Sequence, residues 1–224
     1  MPIEKIALPQ YSRKQEWWNA ISHFCGVIFA LIAGPFLLVK AAKGGNALNI
    51  VACSIYLLSL IVLYFGSGLY HALLPGNFKK VMRVLDHDNV FFLIMGSYTP
   101  YTWIGLYAPK DGFPWGWVIF GLVWALCILG IVLNSIDLKK HSRFCMVIYV
   151  LMGSCILAAF YPLYFSIGLY GILTLLGSGI LYWIGATLYA LGGKKNLWYH
   201  TVFHFFILAA TTLMFFSIYF FVLC

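Results

Sequence analysis

Apolar residues form long, continuous runs along this chain, and short polar connections separate them. Seven runs reach the length of about 20 mostly apolar residues that a helix needs to cross a membrane. They lie at residues 19–42, 48–74, 87–107, 114–136, 144–162, 166–191 and 198–222. None alternates with the period of two that a membrane β-barrel requires. The pattern predicts an all-α membrane protein built as a seven-transmembrane helix bundle.

The composition agrees with this pattern, because 63% of the residues are hydrophobic and only 9% are charged. A soluble domain of this length would expose much more charge. The connections are too short for a separate soluble domain, and the first apolar run is long enough to span rather than to be a cleaved signal. We therefore expect residues 1–18 to be a cytoplasmic N-terminal tail and residues 19–224 to form one transmembrane domain.

The basic residues are distributed unevenly between the two sides of the predicted bundle. The side of the N-terminus holds eleven of the fourteen: Lys5, Arg13, Lys14, Lys79, Lys80, Arg83, Lys139, Lys140, Arg143, Lys194 and Lys195. The opposite side holds Lys40, Lys43 and Lys110. This bias places the N-terminus in the cytoplasm and the C-terminus outside. Contacts with anionic lipid headgroups account for the net charge of +8, so no nucleic-acid partner is expected; a homo-oligomer is left open.

All six histidines fall in the inner half of this topology or at its inner surface, and three of them suit a metal site. His200 and His204, in the stretch YHTVFH, lie four residues apart and therefore share one helix face. His71 closes the second run at a similar depth. A catalytic zinc takes three protein ligands and a water, so these imidazoles predict a Zn²⁺ site, although imidazole also suits other metals.

Two more polar residues approach the same depth. Ser67 lies one turn before His71, and Asp86 enters the third run at the same face of the membrane. A carboxylate beside a zinc-bound water can take its proton, because the metal lowers the pKa of that water to about 7. Asp86 and Ser67 are therefore the candidate catalytic residues.

Each histidine taken alone also has a simpler interpretation. His23 and His87 lie near predicted helix ends, where histidines are commonly interfacial, and His141 lies in a basic loop, where it would be solvated. The pair His200 and His204 could equally contact lipid headgroups. The metal hypothesis depends on the agreement of three distant segments, since ionisable residues inside a membrane are functional candidates.

Four stretches give the chain a family resemblance: EWWNAISHFCG, SGLYH, LDHDNVFFLIMGSYTPY and YHTVFH. Together they resemble the hemolysin III family, the bacterial branch of the progestin and adiponectin receptor superfamily. The resemblance implies a bacterial cytoplasmic (inner) membrane protein with seven helices and a zinc near the cytoplasmic face. By position it implies His71, His200 and His204 as ligands, Asp86 as the residue that holds or activates the water, and Ser67 as a nearby polar partner.

One residue departs from the pattern. Asp88 stands where members of the family usually carry a small or neutral residue. We expect it to add charge near the entrance of the site, which leaves the substrate preference open.

Three functions follow from these observations. The first is a zinc-dependent hydrolase that acts on a lipid amide or ester, in line with the lipid amidase activity proposed for eukaryotic members of the superfamily. The second is a non-enzymatic regulator of membrane energetics or fluidity with a structural zinc. The third, a cytolysin, is suggested by the family's name. The fourth ligand of the zinc distinguishes the hydrolase from the regulator. A structural zinc is normally closed by four protein ligands, whereas a catalytic zinc keeps the fourth position for water.

Overall fold

The computed structural model describes residues 2–109 and 111–224, apart from the side chains of residues 193–195. Its regular structure within these ranges is helical, which confirms the predicted all-α class. The long helices are α1 (Arg13–Lys43), α2 (Ala47–Ala72), α3 (Asn77–Pro100), α4 (Trp115–Ser154), α5 (Phe160–Lys195) and α6 (Trp198–Ser217). Short π-helical turns at Tyr101–Gly105 and Ile218–Val222 continue α3 and α6.

Four stretches of the described chain are long and apolar enough to cross a membrane: Arg13–Lys43, Ala47–Ala72, Trp115–Gly192 and Trp198–Val222. The fold is thus that of a membrane protein. Helix α3 is not among these stretches, because several charged residues in its first turns make it less apolar.

The third of these stretches is 78 residues long, several times the length of one crossing, and its backbone breaks twice. Asp137 has non-helical angles (φ −159°, ψ 98°), and its Oδ1 accepts the N–H groups of Lys139 and Lys140, which begins a new helical stretch. Gly168 takes a left-handed conformation (φ 69°) that favours glycine. The break at Asp137 directly follows the predicted run 114–136, whereas the break at Gly168 lies just inside the predicted run 166–191. The number of crossings and their orientation remain predictions.

Helix α1 begins with a capping box, inside the residues assigned above to the tail. The hydroxyl of Ser12 accepts the N–H of Gln15 at 3.3 Å, and Oε1 of Gln15 accepts the N–H of Ser12 at 2.8 Å. These bonds satisfy N–H groups that a helix start otherwise leaves unpaired. The cap extends α1 six residues before the predicted run, which brings Glu16 into the helix.

The helices that carry the candidate histidines are held together by the packing of α1 against α2 and α6 and by hydrogen bonds between α2 and α6. On α2, the hydroxyl of Tyr56 donates to the carbonyl of Thr211 at 3.3 Å, and the hydroxyl of Tyr64 contacts Thr211 Oγ1. Gly26 of α1 lies directly against the Tyr64 ring, where a Cβ atom would come within 2.5 Å. These contacts fix the register of the three helices, so that the start of α1, the end of α2 and the start of α6 meet at one end of the bundle.

Candidate metal centre

Three buried histidines converge where α2 ends and α6 begins. Nε2 of His200 lies 3.3 Å from Nε2 of His71 and 3.1 Å from Nε2 of His204. All three are buried: His200 is 8% exposed, His71 2% and His204 1%. One ligand atom from each lies within 4.8 Å of one from each of the others, so the group can hold a metal ion.

The spacing of these nitrogens suits a tetrahedral ion. With Zn–N bonds of about 2.0–2.1 Å, two ligands at a tetrahedral angle are separated by roughly 3.3–3.4 Å. The two measured separations, 3.1 and 3.3 Å, come close to that value. A neutral imidazole carries a single N–H group, so the Nε2 atom of a ring that donates from Nδ1 holds only a lone pair, which faces the centre. A bound cation therefore fits this donor set.

The remaining ring nitrogens fix the orientation of two of the histidines. Nδ1 of His71 lies 2.6 Å from Oε2 of Glu16, and a carboxylate only accepts hydrogen bonds, so His71 donates from Nδ1. Nδ1 of His204 lies 3.3 Å from the carbonyl oxygen of Asn19 and donates in the same way. Both rings thus present the Nε2 lone pair to the centre. This arrangement of outer partners is typical of histidines that bind metals.

Glu16 is itself held by a buried lysine. Nζ of Lys79 lies 2.6 Å from Oε1 of Glu16 and donates to the carbonyl of Leu73 at 2.9 Å. The Glu16 carboxylate therefore bridges the Lys79 ammonium group and the His71 ring. From sequence, Lys79 is expected only in the basic cluster that orients the chain, and Glu16 has no predicted role. A signal was available, because Glu16, Asn19 and His23 are spaced i, i+3 and i+7 and share one face of α1.

His23 is buried beside the three histidines, so the interfacial interpretation does not describe it. Its ring stacks on that of His204, with centroids 3.7 Å apart and planes at 17°, and meets the Tyr64 ring edge-on. His23 is buried because α1 packs against α6 and this face of α1 points inward. His87 is partly buried, and its Nε2 lies 3.1 Å from the hydroxyl of Tyr189.

The segment before α1 covers the centre. The ring of Tyr11 stacks on that of His200 at 5.2 Å and contacts His71 at 5.6 Å. The guanidinium of Arg83 donates to the carbonyl of Ala7 and so ties this segment to α3. Burial raises the pKa of Tyr11, so its phenol stays protonated at neutral pH. Residues 7–12 therefore separate the histidines from the end of the bundle.

The two candidate catalytic residues lie next to the centre without joining it. Asp86 is buried at the start of α3, and its Oδ2 lies 3.9 Å from Nδ1 of His87. It does not belong to the set of ligand atoms within 4.8 Å of one another. Ser67 is buried one turn before His71 and faces Asp86, but its hydroxyl makes no hydrogen bond of ordinary geometry with the described residues.

Asp88, which was expected from sequence to add charge near the entrance of the site, points toward α4. Residues two apart on a helix point in nearly opposite directions, so Asp86 faces Ser67 of α2 while Asp88 faces α4. Its Oδ2 accepts a hydrogen bond from Ser135 at 3.4 Å. Asp88 therefore belongs to a separate part of the molecule.

Several buried polar atoms around the histidines make no hydrogen bond within the described residues. They are Oδ1 of Asn19, both ring nitrogens of His23, Oγ of Ser67, Nδ1 of His200 and Oγ1 of Thr201. Buried polar groups are normally paired, with protein or with bound water. Their concentration on α1, α2 and α6 indicates that the region is built for a polar occupant.

Comparisons with known proteins match the chain over nearly its whole length. The family model described as "Haemolysin-III related" matches residues 11–215. "Hemolysin-3" of Bacillus cereus is 34% identical over 220 residues, which cover 98% of this chain and 97% of that protein. "Hemolysin-3 homolog" of Bacillus subtilis strain 168 is 33% identical over 211 residues, covering 94% of this chain and 96% of that protein. The chain therefore belongs to the haemolysin-III-related family.

Proposed function

We propose that this chain is a zinc-dependent hydrolase of the bacterial cytoplasmic membrane that cleaves a lipid amide or ester near the cytoplasmic face. The observation that carries the proposal is the convergence of three Nε2 atoms whose rings are oriented by Glu16 and by the carbonyl of Asn19. Such a buried, oriented set is costly to maintain for packing alone, because polar groups without partners disfavour folding.

The proposal includes seven crossings with the N-terminus inside. The breaks at Asp137 and Gly168 support the count, because each divides a helix too long for one crossing. The excess of basic residues at the end of the bundle that holds the histidines supports the orientation. The centre would then lie beneath the inner headgroups, within reach of a lipid's carbonyl group.

The roles of the residues follow from their positions. His71, His200 and His204 would hold the zinc, which supplies Lewis acidity and acidifies a water when bound. Asp86 would accept the proton of the attacking water and return it to the leaving group. Ser67 would hydrogen-bond the Asp86 carboxyl or the substrate oxygen. Tyr11, as a protonated phenol over His200, would exclude bulk water from the cytoplasmic side.

The position of Asp86 favours hydrolysis over a structural clamp. A structural zinc site is normally closed by a fourth protein ligand, whereas a catalytic site keeps that position for water. Asp86 lies outside the set of mutually close ligand atoms, which suits a carboxylate that acts through a water. A non-enzymatic regulator is the second candidate, and the cover formed by Tyr11 favours it, since a regulatory site needs no substrate entry.

Metal analysis and lipid hydrolysis by the purified protein test the proposal together. We expect about one zinc per chain in the wild type and near-complete loss in His71→Ala, His200→Ala and His204→Ala, with His141→Ala as the matched control. Asp86→Asn should keep the zinc and lose hydrolysis of amide- or ester-linked lipids by about 10²–10⁴-fold. Full zinc occupancy in the three alanine variants would contradict the site. Zinc without hydrolysis across a broad lipid panel would favour the regulator.

A further inference from the structure

A second buried polar cluster lies between α3 and α4, on the side of α3 opposite Asp86. It contains Asp88, Asn134 and Ser135, with Tyr149 beside it. Asp88 is 6% exposed and Asn134 is 1% exposed. Ser135 donates its hydroxyl to Oδ2 of Asp88 at 3.4 Å. The side chain of Asn134 faces the same carboxyl and the Tyr149 hydroxyl, but its amide atoms make no hydrogen bond of ordinary geometry with the residues that the structure describes.

The charge of Asp88 has no counterpart within the described residues. The ion pairs there join Glu16 to His71 and Lys79, and Asp86 to His87; none includes Asp88. Its Oδ1 atom is buried and makes no hydrogen bond with any described residue. An unpaired carboxylate inside a protein is strongly disfavoured, so a proton or a bound cation must neutralise it. Intramembrane carboxylates of this kind mark ion or proton sites.

The surrounding groups favour a cation. They offer oxygen atoms: the carboxylate, the amide oxygen of Asn134, the hydroxyl of Ser135 and that of Tyr149, whose proton is donated to the carbonyl of His87 at 2.8 Å. Asn134 and Ser135 also lie in the last turn before the break at Asp137. The end of a helix carries partial negative charge and free carbonyl groups, and helix ends of this kind coordinate Na⁺ in membrane proteins.

We propose that Asp88, Asn134, Ser135 and Tyr149 form a binding site for one monovalent cation, Na⁺. The single carboxylate matches a single positive charge, whereas divalent ions such as Ca²⁺ take six to eight oxygen ligands. Ser135 is exposed at the end of the predicted run 114–136, two residues before the break at Asp137, so it offers the ion a route from the membrane surface to the buried carboxylate. The proposal is independent of the zinc centre, because Asp86 and Asp88 face different neighbours.

Thermal unfolding of the purified full-length protein in detergent tests the site. A ligand that binds only the folded state raises its stability in proportion to the logarithm of ligand concentration. The unfolding midpoint of the wild type should rise saturably when NaCl replaces choline chloride at constant ionic strength. Asp88→Asn, which keeps the shape and removes the charge, should abolish this rise and keep wild-type zinc content. Ser135→Ala should weaken the apparent Na⁺ affinity several-fold.

Asp86→Asn is the matched control, since it removes the same charge two residues away and should leave the Na⁺ response intact. A wild-type midpoint that is equal in NaCl and choline chloride would overturn the proposal and would indicate a protonated Asp88. A full Na⁺ response in Asp88→Asn would overturn it as well. If Asp88→Asn does not fold, an unchanged Na⁺ response in Ser135→Ala decides against the site. Zinc content in the same samples separates failure here from failure of the proposed hydrolase.

Discussion

Oε2 of Glu16 lies 2.6 Å from Nδ1 of His71, although 55 positions separate the two residues along the chain. This contact joins the start of α1 to the end of α2 and directs Nε2 of His71 toward His200. Lys79 of α3 binds the other carboxylate oxygen, so three helices meet at one carboxyl group. Glu16 therefore acts as a positioning residue for the proposed zinc ligand.

Replacement of Glu16 should weaken zinc binding without removing a ligand. Loss of an outer partner of a metal-bound histidine typically costs about 10–100-fold in metal affinity. We expect Glu16→Ala near the upper end of that range, because it also leaves Lys79 unpaired, and Glu16→Gln near the lower end. Competition with a zinc chelator measures the affinity, and Glu4→Gln, at an exposed position, is the control. Wild-type affinity in Glu16→Ala would show that the contact does not orient His71.

The hydroxyl contact between Tyr64 and Thr211 should contribute to stability and to the alignment of α2 with α6. Tyr64→Phe and Thr211→Val should each cost about 1 kcal/mol, the usual net value of a hydrogen bond. Because each removes the same contact, the double variant should be less destabilised than the sum of the two. Unfolding midpoints measure the cycle, with Tyr107→Phe at an exposed position as the control. Strict additivity would exclude an energetic coupling.

A methyl group at Gly26 should force α1 away from α2. The added Cβ would lie 2.5 Å from the Tyr64 ring, which is too close for any carbon contact. Overpacking of this kind costs about 1–3 kcal/mol, so Gly26→Ala should unfold at lower temperature and lose some zinc affinity. Gly121→Ala is the matched control, because its Cβ would enter open space on α4. Equal midpoints for the two variants would contradict the close packing described here.

Removal of the Tyr11 ring should speed the exchange of zinc with solution. Tyr11 stacks on His200 and contacts His71, so Tyr11→Ala should open the centre from the end of the bundle. Tyr11→Phe keeps the ring and should retain the wild-type rate. The rate of zinc removal by EDTA measures the effect, while zinc content before EDTA should be equal in the three proteins. The cover would have no role if Tyr11→Ala released zinc at the wild-type rate.

Much of this arrangement follows from local sequence patterns. The apolar runs predicted the helical class, and the spacing of His200 and His204 placed both on one face of α6, where they meet at 3.1 Å. His71 was correctly placed with them, since the apolar runs set the depth of each residue. Helical spacing alone also implies that Asp86 and Asp88 point in nearly opposite directions.

The tertiary structure decided which helix faces meet. Glu16 and His23 became partners of His71 and His204, Lys79 became buried, and Tyr11 covered the centre, each through contacts between segments far apart in the chain. Helix formation depends on residues three or four positions apart, so the sequence determines it directly. The pairing of helices depends on the fit of whole side-chain surfaces, such as Gly26 against Tyr64. That fit exists only once the chain has folded, and it determines the neighbours of each polar group.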